Sequence, residues 1–315
     1  MDSADHFRPR WWPLAAATAT LLMVLWLLLF TWSGILGSHP AYLISLIVVG
    51  LAAIAWGIWA GRSTAPERTP RRMWLSRTGM VVGTVLLLSI VVYPRPLPAD
   101  QVAIDALADS GTIDVSVSSS QIRMDPVRDV RSVGVVFYPG AKVDPRAYAH
   151  ILRPLAEDGY TVVILKLPFG IAFFDRNGAA AVVGRNDAID QWVIAGHSLG
   201  GTVASGFANH NDRHEIAGLL LWASFPASSL AARTGLDVLS ISGGNDGLAT
   251  PAKIQASRTD LPPATQFVEI KGALHAYFGD YGAQDGDGTS GVSRDVAQTQ
   301  IIQATLVQLR RIEDA

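Results

Sequence analysis

The sequence predicts an α/β fold, with a mostly parallel sheet covered by helices on both faces, preceded by two to three transmembrane helices. Two observations support this prediction. Before residue 98 the chain consists mainly of long uncharged apolar runs, and after it short apolar runs alternate with helical patterns. Regular alternation of strand and helix is typical of a parallel sheet with helices on both faces. We therefore expect a membrane anchor over residues 1–98 and an α/β domain over residues 99–315.

Composition limits the classes of function. The 315 residues are 49% hydrophobic and 17% charged, with a formal net charge of −2. A balance this close to neutral gives no sign of nucleic acid or another polyanionic partner. The chain has no cysteine, which excludes disulfides, thiolate metal sites and cysteine nucleophiles. We expect no cofactor and no metal site, and the oligomeric state stays open.

Three apolar runs predict membrane helices. Two uncharged runs, at about 14–36 and 41–60, are each long enough to cross a hydrocarbon core. In the third, at about 79–95, the apolar stretch would extend only about 22 Å against a core of about 30 Å. It can reach across if Arg77 and Arg95 extend their charged ends to the interface. The first two runs hold no acidic or basic residue, so we expect an anchor and not a transport pathway.

The placement of arginine predicts the orientation of the anchor. Arg8 and Arg10 precede the first run, the link "GSHP" has neither lysine nor arginine, and five arginines, among them Arg68, follow the second run. The positive-inside rule then puts the N-terminus and the basic link in the cytoplasm. Three spans make a multi-pass protein of the cell membrane with an extracytoplasmic α/β domain. If the third run does not span, that domain is cytoplasmic instead.

The α/β domain begins after a proline-rich boundary at 93–100, which cannot continue a helix. The segments "TIDVSVSSS" and "QIRMDPV" predict strands, and the alternation in the first indicates a position near a sheet edge. "VGVVFYPG" is nearly continuous in apolar residues and predicts a strand buried on both faces. The further strand candidates are "TVVILKLPF", "WVIAGHS", "GLLLWASF", "VLSISGG" and "TQFVEI".

A helix is predicted directly after "VGVVFYPG". Asp144 is placed to cap it, Pro145 suits its first position and Gly159 ends it. Pro154 predicts a kink or a break in its second half. The segment "RDVAQTQIIQATLVQLRRI" predicts a closing amphipathic helix. In sheets of this kind the ligand site lies beyond the carboxyl ends of the strands.

Ser198 is the candidate nucleophile. In "QWVIAGHSLGGTVASGF" it directly follows a strand and opens a helix of small residues, which is the context of the G-x-S-x-G nucleophile elbow. Gly196 and Gly200 would relieve crowding at the strained turn, and Gly201 would let the helix pack close to the sheet. A glycine-rich turn that binds phosphate, or nothing, is the alternative.

A serine nucleophile needs a base, and the base needs an orienting acid. Asp246 in "VLSISGGNDGLATP" and His275 in "KGALHAYFGDYG" each lie in a loop beyond a strand. The order Ser, Asp, His at strand ends is typical of one class of catalytic triad. His197 is inside the elbow, where we expect it to support the turn. These partners favour the catalytic interpretation of Ser198.

Two backbone amides are needed to stabilise the oxyanion that forms when a serine attacks a carbonyl. One should come from Leu199, which follows the nucleophile at the positive end of its helix. The other should come from Gly140 or Ala141 in "YPGAKVDP", the loop after the buried strand.

Two other patterns have a weaker chemical signal. His210 and His214 have the i, i+4 spacing of some metal ligands, but they lie in the polar segment "NHNDRHE", and we expect a solvated surface. Asp285 and Asp287 in "QDGDGTSG" resemble part of a calcium loop that lacks its glycine and closing glutamate. We expect a flexible polar loop there.

Four segments together resemble the α/β-hydrolase superfamily: the stretch from "FYPGAKVDP" to "FGIAFF", "AGHSLGG", "SGGNDGLATP" and "HAYFGDYGAQDGDG". Within it the chain is similar to a bacterial group of small hydrolases loosely related to dienelactone hydrolases. The resemblance covers roughly residues 105–315. It implies Ser198 as nucleophile, Asp246 as acid and His275 as base. The oxyanion loop of the group is often Pro-Gly-Gly, and here Ala141 takes the last position.

The expected function is a membrane-anchored serine hydrolase that cleaves a carboxylic ester, thioester or lactone through an acyl-enzyme. Only "PASSLAARTGLD" separates two strands where many relatives have a helical lid, so an open cleft for small-molecule or lipid-like acyl substrates is expected. Ile171, Phe173 and Phe174 could form an apolar wall, although we favour the core for them. Acyl transfer to a lipid or sugar acceptor is the alternative, and a non-catalytic binding domain is a further one.

Overall fold

The computed structural model describes residues 10–64, 69–184, 189–211 and 215–315, so Arg8 and Arg68 of the orientation prediction lie outside the described residues. The chain divides into two compact units. The first comprises Met1–Leu36 and Pro40–Arg95, and the second comprises Gly37–His39 and Pro96–Ala315.

The first unit has three helices that are long and apolar enough to cross a membrane: α1 (Trp11–Phe30), α3 (Ala41–Arg62) and α4 (Pro70–Val92). The short helix α2 (Trp32–Gly37) lies between α1 and α3. The sequence predicts one helix over 14–36, whereas the structure has a break at Thr31. The Thr31 hydroxyl donates to the carbonyl oxygen of Leu27, and such back-bonding bends helices.

The third apolar helix is longer than the sequence predicts. The expected run starts at residue 79 because only uncharged residues define it. The helix itself begins at Pro70, where a proline suits the first turn, and it includes Arg71, Arg72 and Arg77. Its 23 residues extend about 35 Å. It is long enough to cross a hydrocarbon core, although its uncharged part is still the stretch after Arg77.

Two polar contacts join the apolar helices of the first unit near their ends. The Tyr42 hydroxyl donates to the Val91 carbonyl oxygen at 2.9 Å, which joins the start of α3 to the end of α4. The Arg10 guanidinium lies 4.5 Å from the ring centre of Trp59.

Many large apolar side chains of these helices are exposed, among them Leu22, Leu29, Ile47, Leu51 and Ile90. An apolar surface of this extent is typical of a helix in contact with lipid.

The second unit is built on an eight-stranded sheet in the order β1-β2-β4-β3-β5-β6-β7-β8. Pairs β1–β2 and β2–β4 are antiparallel, and all other pairs are parallel. The strands are β1 (Ile113–Val117), β2 (Gln121–Pro126), β3 (Val133–Tyr138), β4 (Thr161–Leu165), β5 (Gln191–His197), β6 (Ile216–Trp222), β7 (Asp237–Gly243) and β8 (Gln266–Ile270).

Both faces of the sheet are covered. The helices of this unit are α5 (Gln101–Asp105), α6 (Ala149–Glu157), α7 (Gly178–Val183), α8 (Leu199–His210), α9 (Pro251–Ala256) and α10 (Arg294–Glu313). Every residue of β3 is buried, and alternate residues point to opposite faces. Val135 and Phe137 pack in one core cluster with α6 and α10, whereas Val136 and Tyr138 pack in another with α7 and α8. This arrangement confirms the predicted α/β fold.

The irregularity in helix α6 lies at a different place from the one that the sequence predicts. A 3₁₀ turn, Pro145–Tyr148, precedes it, and Asp144 caps this turn by accepting the Arg146 amide at 3.0 Å. The helix then continues through Pro154 to Glu157, so the expected break at Pro154 is wrong. The change of helix type lies instead where the 3₁₀ turn meets α6.

Candidate active site

Ser198 lies at a strained turn between β5 and α8. Its backbone φ is 52° and ψ is −127°, a conformation that costs a non-glycine residue of order 1–3 kcal/mol. Two hydrogen bonds from the end of β6 hold it there. The Ser198 amide donates to the Trp222 carbonyl oxygen at 3.0 Å, and the Ser224 hydroxyl donates to the Ser198 carbonyl oxygen at 2.7 Å. The neighbouring strand therefore braces the peptide groups on both sides of Ser198.

Close packing around the elbow requires two of its glycines. A Cβ at Gly200 would overlap the backbone carbonyls of residues 138 and 139, at the end of β3. A Cβ at Gly201 would lie 2.6 Å from the Cβ and Oγ of Ser224. The helix that starts after Ser198 can thus approach its neighbours only without these side chains, as the sequence predicts for crowding at Gly200 and for close packing at Gly201.

Asp246 and His275 are brought together at the carboxyl edge of the sheet. Asp246 follows β7 and His275 follows β8, and these strands are parallel neighbours. The Asp246 Oδ2 lies 2.8 Å from His275 Nδ1, and both side chains are buried. The Asp246 Oδ1 accepts the amides of Leu248 and Ala249, each at 2.7 Å. The carboxylate is therefore oriented by the backbone and is able to accept the Nδ1 hydrogen.

His275 is left with one free nitrogen. With Nδ1–H directed at a carboxylate, Nε2 is the acceptor of a neutral ring. Within the part of the chain that the structure describes, this buried Nε2 has no hydrogen-bond partner. The ring of His197, which directly precedes Ser198, has its centroid 4.6 Å from that of His275. The ring of His275 therefore lies next to the elbow.

The two expected sources of oxyanion donors differ in their contacts. Leu199 is the first residue of α8, and its amide has no acceptor among the described residues. The Gly140 amide donates to the Tyr148 hydroxyl at 2.9 Å. The Ala141 amide has no partner in the described ranges. Of the two positions that the sequence leaves open, Ala141 thus keeps a free donor and Gly140 does not.

Asp287 is a residue of the site region whose role the sequence does not reveal. Its Oδ1 accepts the amides of Gly247 at 3.2 Å and His275 at 3.1 Å, and its Oδ2 accepts that of Ala276 at 2.9 Å. It also accepts the Gly288 amide at 2.8 Å. This carboxylate connects the loop of Asp246 to the loop of His275. The predicted polar loop is thus a loop in which Asp287 is held by four backbone amides.

Among the described residues, those with metal-like spacing do not form a set of metal ligands. In the described ranges no three His, Asp, Glu or Cys side chains form a group that could hold a metal ion. The Nδ1 of His210 lies 2.7 Å from the Gly206 carbonyl oxygen of its own helix. His214 lies outside the described residues.

The segment between β4 and α7 exposes aromatic side chains. Phe173 is 44% exposed and Phe174 is 63% exposed, so the preference for the core is wrong for both. They lie on a short 3₁₀ turn. The ring centroids of Phe174 and Phe169 are 5.8 Å apart, and the Arg176 guanidinium lies 5.0 Å from the ring centroid of Phe173. Ile171 is half-buried. These aromatics cover other side chains of the surface instead of filling the sheet core.

The connection between β6 and β7 contains no helix. Residues 223–236 are all described, and they form turns and irregular backbone. Ser198 is partly exposed. This agrees with the prediction that no lid domain is inserted at this point.

Comparison with known proteins identifies the family. The profile of the Alpha/beta hydrolase family matches residues 134–299, more than half of the chain. The chain belongs to the alpha/beta hydrolase family. The match includes Ser198, Asp246 and His275, and it confirms the superfamily that the sequence segments resemble.

Solved structures share the fold at low sequence identity. The protein TT1662 of Thermus thermophilus is 14% identical, with 64% of this chain and 99% of that chain covered and a TM-score of 0.50. A Klebsiella pneumoniae protein assigned as a dienelactone hydrolase is 17% identical, with 61% and 95% covered and a TM-score of 0.43. At this identity the likeness to TT1662 concerns the fold alone. A search of curated proteins finds no match.

Proposed function

We propose that this member of the alpha/beta hydrolase family is a serine hydrolase that cleaves an ester-type bond of a small-molecule or lipid-like acyl substrate. The observation that supports it most is the buried Asp246–His275 pair, 2.8 Å apart, with an unpaired Nε2 beside the Ser198 elbow. A neutral imidazole oriented by a carboxylate is the base that a serine hydroxyl needs.

The steps follow from these groups. The Ser198 Oγ attacks the acyl carbonyl carbon while His275 Nε2 takes the hydroxyl proton, and Asp246 stabilises the imidazolium. The amides of Leu199 and Ala141 donate to the oxyanion. The tetrahedral intermediate then collapses, and the leaving oxygen takes the proton from Nε2. Water repeats the sequence on the acyl-enzyme, which releases the carboxylic acid and restores the Ser198 hydroxyl.

We also propose that the three apolar helices anchor the enzyme in the cell membrane as a multi-pass protein. The length and composition of α4 support a third span, provided that Arg77 extends its charged end to the interface. With arginines before α1 and around the end of α3 and the start of α4 on the cytoplasmic side, an odd number of spans leaves the catalytic domain outside the cytoplasm.

The test of the chemistry uses the full chain in detergent with p-nitrophenyl acetate and a fluorophosphonate probe. Ser198→Ala is expected to abolish both turnover and labelling. Ser205→Ala is the matched control, since this buried serine on the same helix donates only to the Thr202 carbonyl oxygen. Turnover that persists in Ser198→Ala would exclude the proposed nucleophile. A product that appears only with an alcohol acceptor would instead indicate an acyltransferase.

The test of orientation uses a membrane-impermeant fluorophosphonate on intact cells. Labelling of Ser198 before lysis is expected for an extracytoplasmic domain. Labelling that requires lysis would place the domain in the cytoplasm and would contradict the third span.

A further inference from the structure

A buried chain of hydrogen bonds connects the oxyanion loop to the nucleophile elbow. The Gly140 amide donates to the Tyr148 hydroxyl at 2.9 Å, and that hydroxyl lies 2.9 Å from His197 Nδ1. Tyr148 and His197 are both fully buried. Since His197 directly precedes Ser198, two hydrogen bonds link the loop after β3 to the end of β5.

The protons of this chain can be placed from its surroundings. Burial raises the pKa of the Tyr148 phenol, so the hydroxyl keeps its hydrogen. Its oxygen already accepts the Gly140 amide, and His197 Nδ1 is the neighbouring acceptor for that hydrogen. Burial, followed by the neighbouring His275, lowers the pKa of His197 well below its usual value, so this ring is neutral. Nδ1 then accepts from Tyr148, and the ring hydrogen is on Nε2.

The nitrogen that carries this hydrogen faces the catalytic histidine. His197 Nε2 has no hydrogen bond of normal geometry within the described residues. The ring centroids of His197 and His275 are 4.6 Å apart. The ring of His197 is also stacked on Phe278, with centroids 5.7 Å apart and planes at 10°. His197 is thus fixed between Tyr148 on one side and the His275 loop on the other.

The contacts of Tyr148 and His197 leave no room for a side chain at Gly140. A Cβ there would lie 2.8 Å from His197 Nδ1 and 3.0 Å from the Tyr148 hydroxyl oxygen. Glycine at this position therefore lets the loop approach the two side chains closely enough for its amide to donate to Tyr148. The next amide, that of Ala141, has no such partner in the described part of the chain.

We infer that Tyr148 and His197 are positioning residues that hold the oxyanion loop against the elbow, so that Gly140 is a structural amide and Ala141 supplies the second oxyanion donor. This inference rests on the proposed serine hydrolase function. The two side chains do not touch the reacting atoms in this role. They set the distance between the Ala141 amide and the Ser198 Oγ, the two groups that must act on one carbonyl.

The test is Tyr148→Phe, compared with Tyr138→Phe as a matched control. Tyr138 is also a buried tyrosine of this unit, and its hydroxyl likewise accepts an amide, that of Ala179 at 2.9 Å, and donates to a carbonyl, that of Arg176 at 3.1 Å. Both variants therefore lose one hydroxyl and two hydrogen bonds. Only Tyr148→Phe releases the oxyanion loop.

We expect Tyr148→Phe to weaken stabilisation of the transition state more than binding of the substrate. In Tyr148→Phe, kcat for p-nitrophenyl acetate falls about 10- to 100-fold while KM changes by less than about threefold, because a displaced oxyanion donor acts mainly in the transition state. The preference for this oxygen ester over its thionoester falls as well, since sulfur is the weaker acceptor. In Tyr138→Phe, kcat, KM and this preference stay close to those of the unmodified enzyme.

Three outcomes would overturn the inference. One is a Tyr148→Phe enzyme with unchanged kcat. Another is a kcat that falls equally in both tyrosine variants with the oxygen-to-sulfur preference unchanged, which indicates general loosening. The third is the absence of Ser198-dependent turnover in the unmodified protein, which removes the proposed function together with the inference. The first two leave that function intact, so the failures are distinguishable.

Discussion

Asp287→Ala tests whether one side chain outside the triad holds the triad together. Asp287 accepts four backbone amides, and these include Gly247 beside Asp246 and His275 itself. Removal of the carboxylate frees both loops at once. We expect a loss of stability and a separate loss of kcat, because a base displaced by about 1 Å can cost on the order of 100-fold in rate.

The size of the stability loss follows from the exposure of the four donors. The amides of His275 and Ala276 are in partly buried hydrogen bonds, whereas those of Gly247 and Gly288 are exposed, and water can replace the carboxylate there. Two hydrogen bonds to a charged acceptor at about 1.5 kcal/mol each give about 3 kcal/mol. For a domain of this size, that corresponds to a decrease in Tm of about 6–12 °C.

The assay compares Asp287→Ala with Asp285→Ala in the full-length chain. Asp285 is an exposed acid two residues away that makes no hydrogen bond or ion pair among the described residues. The control variant should keep the Tm and kcat of the unmodified protein, in detergent with and without a chelator. If Asp287→Ala behaves like Asp285→Ala, the carboxylate does not connect the loops. If added calcium raises the Tm of the unmodified protein but not of Asp287→Ala, the calcium-loop interpretation rejected above is the correct one.

Two further predictions concern the elbow. Gly200→Ala should abolish turnover and lower the Tm, because the added methyl group meets backbone atoms at the end of β3. Gly206→Ala on the same helix, where nothing lies within 4 Å of the added methyl group, should raise the free energy of unfolding by up to about 1 kcal/mol. Equal effects of the two substitutions would contradict the packing argument. Because burial lowers the pKa of His197, the unfolded chain binds a proton that the folded chain excludes, and stability should decrease as the pH falls below about 6.5, by up to about 1.4 kcal/mol per pH unit. Tm measured between pH 7 and 5 should therefore decrease less steeply in His197→Gln, and parallel curves would refute the assignment of this proton to His197.

The sequence was sufficient for the parts of the fold that depend on local pattern. The buried run of β3 and the glycine-rich start of α8 have signals within a few residues. The pairing of Asp246 with His275 also followed, because the carboxyl ends of parallel strands meet at one edge of a sheet. The chemical roles of the three triad residues are a proposal. Their proximity could be predicted from the placement of each residue just beyond a strand end.

What the sequence could not show depends on contacts between distant segments. Tyr148 resembles a core residue of a helix, and nothing local indicates that its hydroxyl meets a histidine 49 positions away. Asp287 resembles a metal ligand in the sequence, and its actual partners are backbone amides, which the identities of the neighbouring side chains do not reveal. Phe173 and Phe174 were assigned to the core by their apolar character alone, whereas both lie on a short 3₁₀ turn with their side chains exposed.

The link between β6 and β7 affects the kinetics of the proposed hydrolase. Residues 223–236, all of them described, form no helix over the strand ends, and Ser198 is already partly open to solvent. A substrate can therefore meet the nucleophile without waiting for a cover to open. Turnover should then rise smoothly with ester concentration through the point at which the ester separates into droplets. Enzymes that become active only at an oil–water interface show a sharp rise there, and described residues 223–236 form no helix that would have to move.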